Sequence, residues 1–221
     1  MLPSFLKTAV LGHEPRFFRI RVGLNRGLRF RLDPANKASR LVGLDELELA
    51  RSFRRYSALA QVALDVGAAD GWYTLFLASR PNIRRVHAFE PEPGLRAALM
   101  ENLTLNGCAS KVTLRSEFVG ATAGANRCPL DAVDMGDGAA LVKVDVEGAE
   151  LEVLRGAGKM IARPDTMWII ETHAAHLEVE CADLLEAAGY ATRVVDHGWY
   201  RRLLPERRPL PHNRWLVAAR H

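Results

Sequence analysis

Apolar and polar positions follow one pattern in the first 60 residues and another in the rest of the chain. In residues 18–22 and 28–32, apolar side chains alternate with arginines, and Asn25-Arg26-Gly27 lies between these segments. Alternation with a period of two on both sides of an Asn/Gly turn predicts a β-hairpin with one apolar and one arginine face. Residues 44–56, LDELELARSFRRY, place apolar side chains at helical spacing and predict an amphipathic helix.

From residue 62 onward, short apolar runs alternate with longer amphipathic segments. Strands are predicted at VALDV, RVHAFE, VTLRS, ALVKVDV, TMWIIET, RVVD and RWLVAAR, and helices at GWYTLFLAS, PEPGLRAALMENLTLNG, GAELEVLRGAGKMI and LEVECADLLEAAGY. This alternation predicts an α/β fold whose mostly parallel sheet is covered by helices on both faces. We predict one domain over residues 1–221, with a hairpin and helix extension in residues 1–60 and the core in residues 61–221.

Composition excludes several classes of protein. A chain of 221 residues with 48% hydrophobic and 25% charged residues is typical of one globular domain. No apolar run approaches the roughly 20 residues that a membrane-spanning helix needs. The N-terminal stretch MLPSFLKTAVLG has no clear cleavage signal, so we expect a cytoplasmic protein without a transmembrane segment. Three widely spaced cysteines predict neither a disulfide framework nor a metal pair.

The stretch LDVGAADGWYT, residues 64–74, joins the first core strand to the following helix. A dinucleotide fingerprint requires glycine at positions 67, 69 and 72, where this chain has Gly67, Ala69 and Trp72. Asp70 lies where phosphates would dock, and its charge would repel them. The loop therefore favours S-adenosylmethionine, a cationic nucleoside without phosphate, over a nicotinamide cofactor. The alternative is a plain strand–helix turn in which Asp70 caps the helix.

Acidic residues follow the second and fourth core strands. Glu90 ends the second strand, where an acid accepts hydrogen bonds from ribose hydroxyls, although the next helix would also favour a surface glutamate there. Asp145 ends the buried fourth strand, and an acid at that position is costly unless it is paired or used. Glu147 and Glu150 lie on the first turn of the next helix, where interaction with the helix dipole explains them equally well.

Glu171 and His173 end the fifth core strand and lie on the same side of it by strand parity. Glu171 could orient the His173 imidazole and tune its pKa towards neutrality, as a general base requires. A loop histidine that is hydrated by water is the alternative.

The segments LDVGAADGWYT, AFEPEP, LVKVDVEGAELEVLRGA and WIIETH, in this order and spacing, resemble the FkbM family of S-adenosylmethionine-dependent methyltransferases. The resemblance covers residues 62–173 and implies a class I, Rossmann-like sheet of seven strands whose last strand, here RWLVAAR, runs antiparallel. It implies O-methylation of a sugar, lipid or other small metabolite. The implied cofactor contacts are Asp65, Gly67, Ala68, Asp70, Gly71, Tyr73, Glu90, Asp145 and, near the adenine, Glu117. Asp145, Glu171 and His173 would lie at the reacting centre.

The predicted reaction is direct methyl transfer in which His173, or otherwise Asp145, takes the proton of the acceptor hydroxyl. We expect no metal; a cation held by Asp145, Glu147 and Glu171 is a minor alternative.

A nucleic-acid methyltransferase and a non-catalytic binding module are the rival functions, and the chain lacks the Asn/Asp-Pro-Pro-aromatic motif of the former. The chain has a net charge of +4, and its arginines are concentrated in residues 16–31 and 201–214. This positive charge leaves open an anionic acceptor. The sequence does not decide the oligomeric state, and a homo-oligomer is not excluded.

Overall fold

A computed structural model describes residues 14–34, 37–202 and 212–220 of the chain. The strands in this part of the chain are β1 (Arg16–Arg19), β2 (Arg29–Leu32), β3 (Val62–Val66), β4 (Arg85–Phe89), β5 (Val112–Arg115), β6 (Phe118–Val119), β7 (Arg127–Cys128), β8 (Ala140–Val144), β9 (Thr166–Thr172), β10 (Ala191–Val195) and β11 (Arg214–Ala219). The α-helices are α1 (Ala38–Leu41), α2 (Ala50–Leu59), α3 (Trp72–Ala78), α4 (Pro93–Leu105), α5 (Glu150–Arg155), α6 (Gly158–Ala162) and α7 (Ala175–Ala187). None of these helices is long and apolar enough to cross a bilayer.

The core is a seven-stranded sheet in the order β10-β11-β9-β8-β3-β4-β5. All neighbours in it are parallel except β11, which runs antiparallel to both β10 and β9. The predicted α/β class and the reversed RWLVAAR strand are therefore confirmed. Every residue of β3, β8 and β9 is buried, because hydrophobic clusters cover both faces of the sheet.

Strand order reverses between β3 and β8. The chain runs from β3 outward through β4 to β5 and then returns to the other side of β3 to form β8. In sheets of this kind, ligands bind at the carboxyl edge beside the point where the strand order reverses. The residues that follow β3, β4, β8 and β9 meet at this edge.

The predicted hairpin is present, and the protein's own core covers its apolar face. Strands β1 and β2 pair antiparallel with Phe18 opposite Phe30, and Ile20, Phe30 and Leu32 are buried. The hairpin lies along α4, where the Arg31 N–H donates to Asn102 Oδ1 at 2.7 Å. The apolar face is thus occupied without a second subunit.

Two predicted helices differ from those in the structure. The helix expected from residue 44 instead starts with a 3-10 turn, Leu47–Leu49, that leads into α2, and Glu46 precedes it with φ 44°. The helix expected over GAELEVLRGAGKMI is divided into α5 and α6 at Gly156. A Cβ at Gly156 would lie 2.2 Å from the Gly120 carbonyl oxygen, so close packing of a neighbouring loop accompanies the break.

Candidate active site

Gly67 and Gly71 shape the loop between β3 and α3. Gly67 has φ 78°, and a Cβ there would lie 1.8 Å from the Asp145 carbonyl oxygen. Gly71 has φ 89°, and its Cβ would lie 2.8 Å from Leu99 Cγ. Both positions therefore require glycine, since other residues would meet a strained backbone and a steric clash. The Ala68 N–H donates to the Phe89 carbonyl at 2.9 Å, so this loop is held between the ends of β4 and β8.

Glu90 lies buried at the end of β4 and faces the same loop. Its carboxylate accepts the Ala69 N–H at 2.8 Å through Oε2 and the Glu92 N–H at 2.9 Å through Oε1. These hydrogen bonds hold the Glu90 carboxylate beside the loop, which is the position that the predicted ribose contact requires. Glu117, the expected adenine contact, lies beyond β5 and pairs with Arg115 at 2.6 Å.

Asp70 pairs with Arg40 of the N-terminal extension. Arg40 Nη1 lies 2.6 Å and 2.8 Å from the two carboxylate oxygens of Asp70 and Arg40 Nε lies 3.0 Å from Asp45 Oδ2, while the guanidinium lies 4.8 Å from the Trp72 ring centroid. The alternative that Asp70 caps the helix is wrong, because α3 begins after Gly71 without a side-chain cap. Asp70 therefore joins the loop to the extension.

Lys143 is a site residue that the sequence predictions missed. Its buried ammonium donates to the Gly67 carbonyl at 3.0 Å and lies 3.3 Å from Asp145 Oδ2 and 3.5 Å from Asp65 Oδ1. Burial alone would lower the pKa of Lys143, but the surrounding acids outweigh it and raise this pKa above its ordinary value. The signal was available, because Lys143 precedes Asp145 by two residues and therefore shares its side of the strand.

Asp65 lies beneath this ammonium and is fully buried. It accepts a hydrogen bond from Thr74 Oγ1 at 2.6 Å, in the first turn of α3. Burial raises the pKa of Asp65, and the Lys143 ammonium and the Thr74 hydroxyl offset part of this shift. Asp65 thus supports Lys143 and the start of α3.

His173 lies among three carboxylates at the end of β9. Its Nδ1–H donates to Glu150 Oε1 at 2.5 Å, and its Nε2 lies 3.6 Å from Asp145 Oδ1 and 3.7 Å from Glu171 Oε1. The orienting partner is therefore Glu150, which corrects the expectation that Glu171 orients the imidazole. Burial lowers the pKa of His173, but the Glu150 hydrogen bond and the nearby acids reverse the shift and raise it.

Glu171 and Glu150 have further partners that hold them in place. Glu171 accepts hydrogen bonds from Asn213 Nδ2 at 2.6 Å and from Trp215 Nε1 at 3.2 Å, since β11 pairs with β9. Glu150 also accepts the Gly148 N–H at 2.9 Å, so the capping explanation holds for it in part.

Asp145, Glu171 and His173 each offer one potential metal-ligand atom, and these atoms all lie within 4.8 Å of one another. Two carboxylate oxygens and an imidazole nitrogen suit a divalent cation such as Mn²⁺. Glu147, which the minor metal alternative included, is instead exposed. The same three side chains can therefore serve as a proton-accepting group or as a cation site.

Glu46 reaches this group from the N-terminal extension, which the sequence did not predict. It is buried with a left-handed backbone, φ 44°, and accepts a short hydrogen bond from the Tyr73 hydroxyl. Burial, together with repulsion by Glu171, Asp45 and Asp145, raises the pKa of Glu46 to about 8. Tyr73 is held in turn by stacking on Phe53, with ring centroids 4.2 Å apart.

Comparison with known proteins finds that this chain is similar to methyltransferases of the FkbM, class I type. Residues 128–192, from β7 into β10, match the family model of the methyltransferase FkbM domain, which confirms the resemblance in that part of the chain. No curated protein matches the chain. The predicted seven-stranded Rossmann-like fold is confirmed by similar solved structures, all of low sequence identity.

Three such structures represent different methyltransferases. A methyltransferase FkbM from Methylobacillus flagellatus KT has a TM-score of 0.58 and 19% identity over 82% of this chain, which spans only 55% of the length of that protein. The precorrin-6y C5,15-methyltransferase from Geobacter metallireducens GS-15 has a TM-score of 0.55 and 18% identity, covering 80% of this chain and 87% of that one. An rRNA methylase from Streptococcus thermophilus has a TM-score of 0.53 and 13% identity, covering 79% and 97%.

Proposed function

We propose that this protein uses S-adenosylmethionine to methylate a hydroxyl group of a small molecule. The observation that carries the proposal is the His173 imidazole, which Glu150 orients through Nδ1 so that Nε2 faces Asp145 and Glu171 at the carboxyl edge of the sheet. This edge is where sheets of this type bind their ligands.

The donor would lie along the loop between β3 and α3. Gly67, Ala68 and Gly71 would let the donor approach the backbone of this loop closely. Tyr73 follows on α3, and Glu90 would accept hydrogen bonds from the ribose hydroxyls. When bound, S-adenosylmethionine supplies a methyl group already activated by the sulfonium. The protein must then align the acceptor oxygen with that methyl and remove the hydroxyl proton.

His173 would accept this proton on Nε2. The resulting imidazolium is stabilised by Glu150 on one side and by Asp145 and Glu171 on the other. Because these acids raise the pKa of His173, the residue is a stronger base, but it must first lose its own proton. The rate of transfer is therefore expected to rise with pH through the His173 pKa.

Charges around His173 favour a neutral acceptor over the anionic one that the arginine content left open. Asp145, Glu150 and Glu171 surround the imidazole, and they would repel a phosphate or carboxylate. Nearby arginines are already paired: Arg40 with Asp70 and Asp45, and Arg201 with Glu48. A sugar or lipid hydroxyl fits this environment better.

A second mechanism uses a divalent cation at Asp145, Glu171 and His173. The cation would acidify the acceptor hydroxyl, and His173 Nε2 would then be a ligand and not a base. A need for added Mn²⁺ or Mg²⁺ after treatment with a chelator would favour this mechanism. Chelator-resistant transfer would favour the base.

The experiment combines donor binding with methyl transfer. Calorimetry should show binding of S-adenosylmethionine but not of NAD. E90A should abolish binding of S-adenosylmethionine. E90Q differs from E90A because it keeps a side-chain oxygen that can accept the Ala69 N–H. H173A should bind the donor normally but transfer radiolabelled methyl to a panel of sugars and lipid alcohols about 10²–10⁴-fold more slowly. If neither cofactor binds, the function is wrong; if H173A and D145A both turn over normally, the base is wrong.

A further inference from the structure

The outer face of the β1–β2 hairpin carries Arg19, Arg29 and Arg31, and of these only Arg31 has a carboxylate partner in the described part of the chain, Glu101 at 3.0 Å. The strand register places Arg19 directly opposite Arg29. Arg19, Arg29, Arg21 and Arg26 are all exposed, and in the described part of the chain none of their side chains forms an ion pair. Like charges opposite each other in a hairpin are destabilising. An anionic surface placed against this face would relieve that repulsion.

Apolar side chains accompany these arginines. Phe17 is 57% exposed, and the register places it opposite Arg31 on the same face as Arg19 and Arg29. Val22, at the end of the hairpin, is 43% exposed. Charge and apolar surface therefore occur together.

The hairpin is anchored rigidly to the methyltransferase core. Its inner face packs Phe30 edge-on against Trp72, with ring centroids 5.2 Å apart. The Asn25 side chain donates to the Trp72 carbonyl at 2.9 Å, and the Asn106 side chain bonds both the N–H and the carbonyl of Arg29. Trp72 begins α3, directly after the glycine loop. The arginine face is therefore held at a fixed position relative to the candidate active site.

We propose that the arginine face of this hairpin docks the protein on a membrane surface that contains anionic phospholipids. Basic residues supply electrostatic attraction to lipid phosphates, and neighbouring apolar side chains supply the second contribution that stable association with a membrane needs. The exposed Phe17 and Val22 favour a bilayer over a nucleic acid, which offers no hydrocarbon region.

The test is co-sedimentation of the full chain with vesicles of phosphatidylcholine alone or mixed with phosphatidylserine, at low and high salt. We expect binding to the mixed vesicles only, weakened by salt. R19Q/R29Q should weaken it roughly 25-fold, about fivefold for each arginine. The control R51Q/R54Q removes two exposed arginines from α2 and should bind as wild type. Circular dichroism melting checks that each variant is folded.

Three outcomes would overturn the proposal. The first is no binding to phosphatidylserine vesicles by the folded wild-type chain. The second is equal binding by R19Q/R29Q and wild type, which would place the contact elsewhere. The third is tighter binding to polyuridylic acid than to vesicles at the same salt, lost in R19Q/R29Q, which would assign the face to nucleic acid.

Discussion

Replacing Lys143 by methionine tests whether the buried charge cluster stabilises the junction of β3 and β8. Methionine fills similar space but removes the ammonium from the Gly67 carbonyl, Asp65 and Asp145. Asp65 is fully buried and would keep only the Thr74 hydroxyl as a hydrogen-bonding partner in the described structure. A buried carboxylate without a compensating cation is the main cost of the substitution.

The expected magnitude follows from the geometry of this cluster. Removing one partner of a buried ion pair costs about 3–5 kcal/mol, and Lys143 serves two acids and a carbonyl oxygen. For a chain of this length, each kcal/mol lowers the melting temperature by about 2–4 °C, so the total shift is roughly 6–20 °C. K159M, at an exposed lysine on α6, should change the free energy of unfolding by less than about 0.5 kcal/mol.

The pH dependence of the K143M deficit gives an independent check. The pKa of Asp65 is already raised in the folded protein and would rise further without the ammonium. A carboxyl with a raised folded pKa favours folding below its unfolded pKa and loses that contribution as the pH rises through the folded value. The deficit should therefore be small in mild acid and full at neutral pH.

Urea unfolding followed by tryptophan fluorescence, at several pH values, measures this deficit. The double variant K143M/D65N removes the buried negative charge as well and should recover a substantial part of the lost stability. A K143M protein within about 1 kcal/mol of wild type at neutral pH would refute the reasoning, because Asp65 would then not need the ammonium. A deficit that is equal in the double variant would likewise remove Asp65 as its cause.

Three further predictions concern the loops and acids of the candidate site. G67A should unfold at a lower urea concentration than G148A and should lose donor binding in calorimetry. Gly67 and Gly148 both have positive φ, but only a Cβ at position 67 would clash with a backbone oxygen, at a cost of about 1–3 kcal/mol. E150Q should lower the His173 pKa in an NMR titration. The stability deficit of E150Q should be largest in acid and vanish as the pH rises through the His173 pKa of the wild type. An unchanged His173 titration would contradict the pairing. E46Q should gain stability relative to wild type as the pH rises through about 8, because Glu46 favours folding only while protonated; equal unfolding curves at all pH values would oppose this.

The sequence alone was sufficient for the core strands. VALDV and TMWIIET were predicted with the bounds of β3 and β9, because strands buried on both faces are continuous apolar runs. The hairpin was also predictable, since its turn and its alternation are local features of the chain. Boundaries failed at Gly156 and around residue 46, where contacts with distant parts of the chain decide the local backbone.

The sequence also determined which strand ends carry the candidate acids: Asp65, Glu90, Asp145 and Glu171 each lie in or directly after a predicted strand. Only the tertiary structure decided how these acids are partnered. Glu150 and not Glu171 orients His173, because the start of α5 lies beside the end of β9. Lys143 joins Asp65 to Asp145, because β3 and β8 are neighbours in the sheet.

Glu46 and Arg40 show the same division between sequence and structure. The sequence places both in the predicted N-terminal extension and gives no sign of their partners, yet both are buried against the glycine loop and its helix. Hydrophobic periodicity reports which side of an element is buried, because burial depends on the average environment of a face. It cannot report which charged side chain a given acid meets, because strand order and loop packing bring together residues that are far apart in the chain.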